Sequence, residues 1–416
     1  MNRNKGKLNR LAPWLFLALP AAAFAQTRAK LDTTSFVVLG EGLAAGMADY
    51  GLSVNVQDFS FPAQMARQMK TIFPQPLIQG PGLEGMFGLS TPVARVPTYP
   101  QTTVRIYPVN PFKKPGDLDR PSLFVFNLSV PNWRLADSLT QRPRWPLIES
   151  SNPRQTTINL ILGSPALLLN NDVPLWTQLE YAQAMNPTLA LVELGYFEAL
   201  DAAATANPTS MPDPVIFRSN YATVVKTLRA LYAEVVVTTI PDPTATAYYS
   251  TPATAARFLG TSPSTIDRYG LQTGDLLGRP GLYAMSNQIL TGNFGALPLN
   301  SILRASAAAD IRARVNALNA AILSVAQENG AVVYDLNAFL GAVRSRGVTA
   351  GTRALTADYL GGFYSLDGVY PSATGHALIA SDILRVLNAT YGQSFAPVNL
   401  APIIANDPAL SHKVAQ

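Results

Sequence analysis

Cysteine is absent from the 416 residues of the chain. Its absence excludes disulfide bonds, a lipid-modified cysteine and thiolate chemistry. Histidine is nearly absent as well, since His376 and His412 are the only two. So few histidines argue against a histidine-rich metal site. We therefore expect no metal and no other cofactor.

Charge is scarce, because charged residues make up 14% of the chain and hydrophobic residues 48%. This balance argues against disorder and favours a large buried core. The formal net charge is +5, but Arg3, Lys5, Lys7 and Arg10 lie in the first ten residues, and without them it falls to +1. The basic pI therefore gives no support for nucleic acid or an anionic membrane as a partner.

The four N-terminal charges precede an apolar run over 11–24 that ends in Ala23-Phe24-Ala25. A basic segment, a short apolar segment and an A-x-A site are typical of a secretory signal peptide. An N-terminal membrane anchor is the alternative, but Pro13 and Pro20 interrupt the run and it is short for a span. We expect cleavage after Ala25, export to the periplasm, cell envelope or medium, and no later membrane span.

Apolar strand-like runs alternate with helix-like segments along the rest of the chain. Strands are expected at 35–39, 122–130, 189–194, 234–240 and 331–334, and helices at 61–69, 176–185, 221–233, 306–329 and 373–388. This alternation predicts an α/β fold, with a parallel sheet between two layers of helices.

One domain is expected over 26–395, followed by a C-terminal tail at 396–416 without a clear pattern. Three insertions are expected, at about 74–120, 140–175 and 243–300. The last is the longest and is rich in Thr, Pro and Gly, so we expect irregular structure there that covers a site.

Ligands of parallel α/β sheets bind at the carboxyl ends of the strands, so the turns there are the first places to search. The turns are GEGL at 40–43, NLSVPN at 127–132 and GYFE at 195–198, and DGVY at 367–370 precedes the last helix. In order and placement these segments resemble the blocks GDSL, N-L-x-V-P-G, G-x-N-D and D-x-x-H of the SGNH (GDSL) hydrolase superfamily. The resemblance covers about 35–392, is weak in 74–120 and 243–300, and implies that family's flavodoxin-like three-layer α/β/α fold.

The same resemblance implies that the hydrolytic residues are replaced. Gly42 stands at the nucleophilic Ser and Tyr370 at the His base. Asn132 stands at the oxyanion-binding Gly and Phe197 at the oxyanion-binding Asn, while Asp367 is kept. Gly42 has no nucleophile, a phenol with a pKa of about 10 is a poor base at neutral pH, and Phe197 cannot donate a hydrogen bond. Loss of a triad nucleophile or base alone lowers turnover by on the order of 10⁶.

The acidic residues and histidines near the expected site could have roles other than those of a serine hydrolase. If the fold holds, Glu41, Glu198 and Asp367 converge, as a glycosidase-type acid and base or as ligands of a cation. The stronger interpretation is that the two glutamates are structural acids that brace loops. His376 has apolar helical neighbours, which favours a partly buried structural histidine, and His412 is expected at the surface.

Aromatic residues are frequent around the expected site, namely Tyr196, Phe197, Phe363, Tyr364 and Tyr370. They could be core residues, or a stacking surface for a sugar or an acyl chain. The further candidates for lining a pocket are Glu41, Tyr196, Glu198, Tyr364 and His376.

The interpretation we favour is an exported, non-catalytic protein that binds a ligand or acts as a scaffold and retains the pocket. The rival is an active esterase or lipase-like hydrolase with a rearranged site. A structural protein of the cell envelope that needs no pocket is the third.

Overall fold

The computed structural model describes residues 30–49, 51–78, 124–146, 152–169 and 173–410. The expected signal peptide at 1–25 and most of the expected insertion at 74–120 lie outside these ranges.

Strands and helices alternate in the described residues. The strands are β1 Phe36–Gly40, β2 Leu189–Glu193, β3 Glu234–Thr238, β4 Tyr249–Ser250, β5 Leu276–Gly278, β6 Ile302–Leu303, β7 Val332–Tyr334, β8 Val348–Ala350 and β9 Arg353–Leu355. The helices are α1 Gly42–Ala45, α2 Val54–Gln57, α3 Phe61–Met69, α4 Asp137–Thr140, α5 Pro153–Leu162, α6 Ser164–Leu169, α7 Gln178–Ala184, α8 Tyr196–Ala204, α9 Pro214–Ala230, α10 Pro252–Leu259, α11 Pro263–Asp267, α12 Arg279–Thr291, α13 Ala305–Asn329, α14 Leu336–Arg346, α15 Ala373–Tyr391 and α16 Leu400–Asn406.

The central sheet is parallel, with the strand order β1-β2-β3-β7. Phe36 pairs with Leu189, Leu189 with Glu234, and Val236 with Val332. Strands β1 and β2 are buried along their whole length. Continuous Val and Leu runs fit such strands, because both of their faces are covered. The expected mixed α/β architecture with a parallel sheet is confirmed.

An extended segment at 126–130 lies along the free edge of β1. The Val38 N–H donates to Phe126 O (2.9 Å), and the Leu128 N–H donates to Val38 O (2.9 Å). The expected strand at 122–130 is therefore present as a short extended segment, with a single bridge between Val38 and Asn127. From one edge of the sheet to the other, the order is the segment at 126–130, then β1, β2, β3 and β7. Numbered by their order along the chain, these five elements are the second, first, third, fourth and fifth.

The larger helices pack in two groups. Helices α8 and α9 contact α13, and α7 contacts α9. In the second group, α15 contacts α3 and α16. Within the described ranges, no helix is both long and apolar enough to cross a membrane.

The expectation of irregular structure at 243–300 is wrong. Strands β4, β5 and β6 form an antiparallel sheet there, and α10, α11 and α12 pack with it. This subdomain has a small core of its own, made of Ala255, Ala256, Ile266, Leu277, Leu282 and Met285. The tail is also structured, because it contains α16 and buries Val398 and Ile403.

Candidate functional site

Gly42 is the first residue of α1, immediately after β1 and the buried Glu41. Glu41 caps this helix, since its Oε1 accepts a hydrogen bond from the Leu43 N–H (2.7 Å). A Cβ atom built on Gly42 would lie 2.5 Å from the Tyr370 hydroxyl oxygen and 2.8 Å from Met47 Sδ. Tyr370 therefore occupies the space that any side chain at position 42 would need.

Tyr370 is a buried phenol, only 6% exposed. Its hydroxyl donates to Glu41 Oε2 (3.3 Å), and its ring meets that of Tyr196 edge-on with centroids 6.4 Å apart. Burial raises the pKa of Tyr370 well above its ordinary value, and the charge of Glu41 adds to this shift. The phenol therefore keeps its proton at neutral pH.

Asp367 braces the loop that carries Tyr370. Its Oδ1 accepts hydrogen bonds from the backbone N–H groups of Val369 (2.6 Å) and Tyr370 (2.9 Å). The Ser365 N–H donates to Tyr370 O (2.9 Å), which closes the loop from the other side. Asp367 thus holds the backbone of residue 370, while the phenol hydroxyl turns to Glu41.

Three fully buried glutamates lie at this end of the sheet. Glu193 Oε2 accepts from the backbone N–H groups of Glu41 and Ala44 (3.2 Å each), and Glu198 Oε1 accepts from the Leu135 N–H (2.7 Å). Burial raises the pKa of Glu41 and of Glu198 to about 7, and that of Glu193 well above its usual range. These contacts are those of acids that brace loops. The sequence arguments overlooked Glu193, although it is a lone acid at the end of an apolar strand.

The two expected oxyanion positions lie near each other. Asn132 has a φ of 58°, a left-handed conformation that favours glycine. Phe197 lies in the first turn of α8, and the Arg134 guanidinium is 5.3 Å from its ring centroid. Arg134 also forms an ion pair with Asp201 (2.7 Å).

A cavity of about 260 Å³ opens beside Tyr370. It is lined by Asn132, Phe197, Leu200, Asp201, Ala203, Ala204, Pro243, Thr246, Tyr248, Tyr249, Val369 and Tyr370. Three of the five expected site positions therefore border one cavity. Gly42 lies against the Tyr370 hydroxyl, and Asp367 holds the backbone of the loop that carries Tyr370.

The first residues of the 243–300 subdomain, at 243–249, form one wall of this cavity. Gly368 allows their close approach, because it has a φ of 74° and a Cβ atom there would lie 2.9 Å from Tyr248 N. A residue other than glycine would be strained at this φ and would push the wall away.

Several expected pocket residues do not line this cavity. Glu41, Tyr196, Glu198 and Tyr364 are buried core groups, as is Phe363. The expected pocket role of the first four is therefore not fulfilled at this cavity.

His376 also lies elsewhere. It is 1% exposed, stacks on Phe61 with ring centroids 6.0 Å apart, and lines a second, larger cavity. Burial lowers its pKa to about 3, so its imidazole is neutral.

Within the described ranges, no three His, Cys, Asp or Glu side chains are placed together to hold a metal ion. No protein-family model matches the chain, and no curated protein matches its sequence significantly.

Proposed function

We propose that the chain is an exported protein of the SGNH (GDSL) type that binds a small apolar ligand beside Tyr370 and does not hydrolyse it. The observation that carries this proposal is that Tyr370 fills the space of the missing nucleophile and also forms a wall of the neighbouring cavity.

The sheet supports the assignment of the fold. When the extended segment at 126–130 is counted beside its four strands, the order of second, first, third, fourth and fifth is that of flavodoxin-like sheets. Together with the two groups of helices, this order favours the three-layer α/β/α arrangement.

The chemistry of the site supports the absence of catalysis. Acyl transfer needs a nucleophile, a base and donors directed at the oxyanion. Position 42 offers no nucleophile, the neutral phenol of Tyr370 is no base at neutral pH, and Phe197 offers no donor.

The lining of the cavity favours a short acyl chain as ligand. Leu200, Ala203 and Val369 are apolar, and the rings of Phe197 and Tyr248 add flat apolar faces. The volume of about 260 Å³ lies just below the ~300–1,000 Å³ of typical small-molecule sites, so the ligand is small.

The first test is hydrolysis of a short-chain ester such as p-nitrophenyl butyrate by residues 26–416. We expect only background turnover from the wild-type chain. Gly42→Ser and Tyr370→His should each do little alone, since triad members act as a unit. Together they are the smallest change that could rebuild a triad, and Asp367→Ala should abolish any turnover so gained. Wild-type turnover above background would instead favour the rival, a rearranged esterase.

The second test is calorimetric titration with hexanoate. Leu200→Trp should abolish binding because the larger side chain fills the cavity. Leu323→Trp, on the exposed face of α13, is the matched control and should leave binding unchanged. If the wild-type chain binds neither hexanoate nor longer acyl chains, the binding proposal fails and a structural role is favoured.

A further inference from the structure

A second cavity, of about 470 Å³, lies apart from the first and shares no lining residue with it. Its walls come from five segments, at 48–49, 53–59, 365, 372–376 and 403–409. The last of these belongs to the tail, so the C-terminal part of the described chain closes the cavity.

His376 contributes an unpaired polar group to this cavity. Although its side chain is 1% exposed, neither ring nitrogen makes a hydrogen bond within the described residues. The Met47 backbone is close enough to favour the protonated imidazole weakly, but it forms no hydrogen bond of ordinary geometry. Buried polar atoms are nearly always hydrogen-bonded, so this imidazole lacks a partner that a ligand could supply.

The other polar side chains of the cavity give it a negative charge. Among the described residues, Asp49, Asp58 and Asp407 line it and no Lys or Arg does, although Arg67 lies beside Asp58. Asp49 Oδ1 accepts from the Leu366 N–H (2.8 Å), and the buried Asp407 accepts from the N–H groups of Thr374 (2.8 Å) and Ala409 (2.9 Å). These hydrogen bonds hold both carboxylates in place.

Burial raises the pKa of Asp49 to about 7. The nearby charges of Asp367 and Asp407 act in the same direction. A carboxylate in this position therefore lacks a compensating positive charge, which a cationic ligand would provide.

We propose that this cavity binds a primary ammonium ion that carries a short apolar body. An ammonium group has three donors, which suit the acceptor nitrogen of the neutral His376 and the carboxylates of Asp49 and Asp407. Val56, Phe59 and Ile403 provide the apolar wall for the body of the ligand. The site is independent of the function proposed above.

The two histidines make the test specific. In the untagged chain 26–416, the imidazole Cε1–Hε1 NMR signals come from His376 and His412 alone, and His412→Gln assigns them. We expect n-butylamine at neutral pH to shift the His376 signal saturably and to leave the His412 signal in place. Butan-1-ol, which has the same length and no charge, should bind at least about tenfold more weakly, because it lacks the charged hydrogen bonds.

Two variants distinguish the loss of a carboxylate in the cavity from the loss of a carboxylate elsewhere on the protein. Asp49→Asn keeps the acceptor for the Leu366 N–H and should weaken n-butylamine binding about tenfold or more. Asp310→Asn makes the same substitution on the exposed face of α13, away from both cavities, and should have no effect.

The proposal is overturned if n-butylamine leaves the His376 signal unmoved, or if butan-1-ol binds as tightly as the amine. Equal weakening by Asp49→Asn and Asp310→Asn would also overturn it. The wild-type titration does not depend on Asp49→Asn, so misfolding of that variant would leave the comparison of amine and alcohol decisive.

Discussion

Tyr370 and Gly42 compete for one volume, so a change at either position alters the surroundings of the other. The sequence alone could predict that position 42 carries no hydroxyl. It could not predict that the phenol fills the space, because that depends on the rotamer of Tyr370 and on its hydrogen bond to Glu41. The same limit explains why Glu41 and Tyr196 were expected to line a pocket, whereas both are buried in contact with Tyr370.

A double-mutant cycle measures this competition. Gly42→Ser should lower the free energy of unfolding by about 1–3 kcal/mol, because it overpacks the core against Tyr370 and Met47. In a Tyr370→Ala background the added cost should largely vanish, so the two changes are not additive. Denaturant unfolding of the four chains gives the coupling free energy.

Gly341→Ser is the matched control for this cycle. Gly341 lies on an exposed face of α14, and a Cβ atom there would meet nothing within 4 Å. We expect no loss of stability from it in either background. An equal cost of Gly42→Ser with and without Tyr370 would contradict the steric account.

The buried glutamates make stability depend on pH. Burial raises the folded-state pKa of Glu198 from its ordinary 4.5 to about 7, so the folded chain binds this proton more tightly than the unfolded chain. The stabilisation that Glu198 contributes to the folded state is therefore fully present below pH 4.5 and is lost as the pH rises to about 7.

Glu198→Gln tests this dependence, because the amide resembles the protonated acid and keeps an acceptor for the Leu135 N–H. The variant should lose less stability between pH 4.5 and 7 than the wild type, by on the order of 1–3 kcal/mol in unfolding free energy. Glu328→Gln is the control. The side chains of Ser324 and Arg218 lower the pKa of the exposed Glu328, which therefore titrates below this window. Parallel stability curves for wild type and Glu198→Gln would refute the assignment.

At the scale of elements, helices with a regular spacing of apolar residues were predicted well. The expected helices at 61–69 and 306–329 are α3 Phe61–Met69 and α13 Ala305–Asn329. The expected helix at 221–233 begins earlier, at Pro214, because Asp213 caps it and accepts from the Val215 N–H (2.8 Å).

The error at 243–300 has a physical cause. The Thr, Pro and Gly content of the segment was interpreted as a sign of irregular structure, yet Pro252, Pro263 and Pro280 each lie in the first turn of a helix. Proline suits that turn, because its missing N–H would have no intrahelical partner there. Thr251 caps one of these helices with its side chain, so the Thr and Pro content marks helix starts.

The separate core of this subdomain predicts local unfolding. Leu282→Ala should cost about 2–5 kcal/mol in the stability of the subdomain and should raise amide hydrogen exchange within 249–303. Leu228→Ala, an equally buried position on α9, should instead raise exchange in the central sheet. If Leu282→Ala raises exchange across both regions alike, the subdomain does not unfold separately.

At the scale of the whole molecule, the described chain is held together near its two ends. The Gln393 side chain donates to Leu31 O (3.0 Å), and Asp407 binds the start of α15 through the Thr374 N–H. Leu31 is itself buried. A chain that begins at Gln26 therefore retains these contacts.

We propose export with cleavage after Ala25 from the N-terminal sequence. Expression of the full chain in a bacterial host should give an exported product with the mass of residues 26–416. Ala23→Lys with Ala25→Lys should block processing and leave the precursor, because small residues are required at the cleavage site. An exported product that still carries residues 1–25 would favour the membrane anchor.

The overlap between Tyr370 and position 42 also couples the mutational histories of the two positions. From the present sequence, a serine at position 42 alone passes through an overpacked intermediate, and a smaller residue at position 370 alone leaves a cavity in the core. Either single step therefore lowers stability, and the second step recovers part of that loss. Selection for a new reaction at this site would have to act on both positions together.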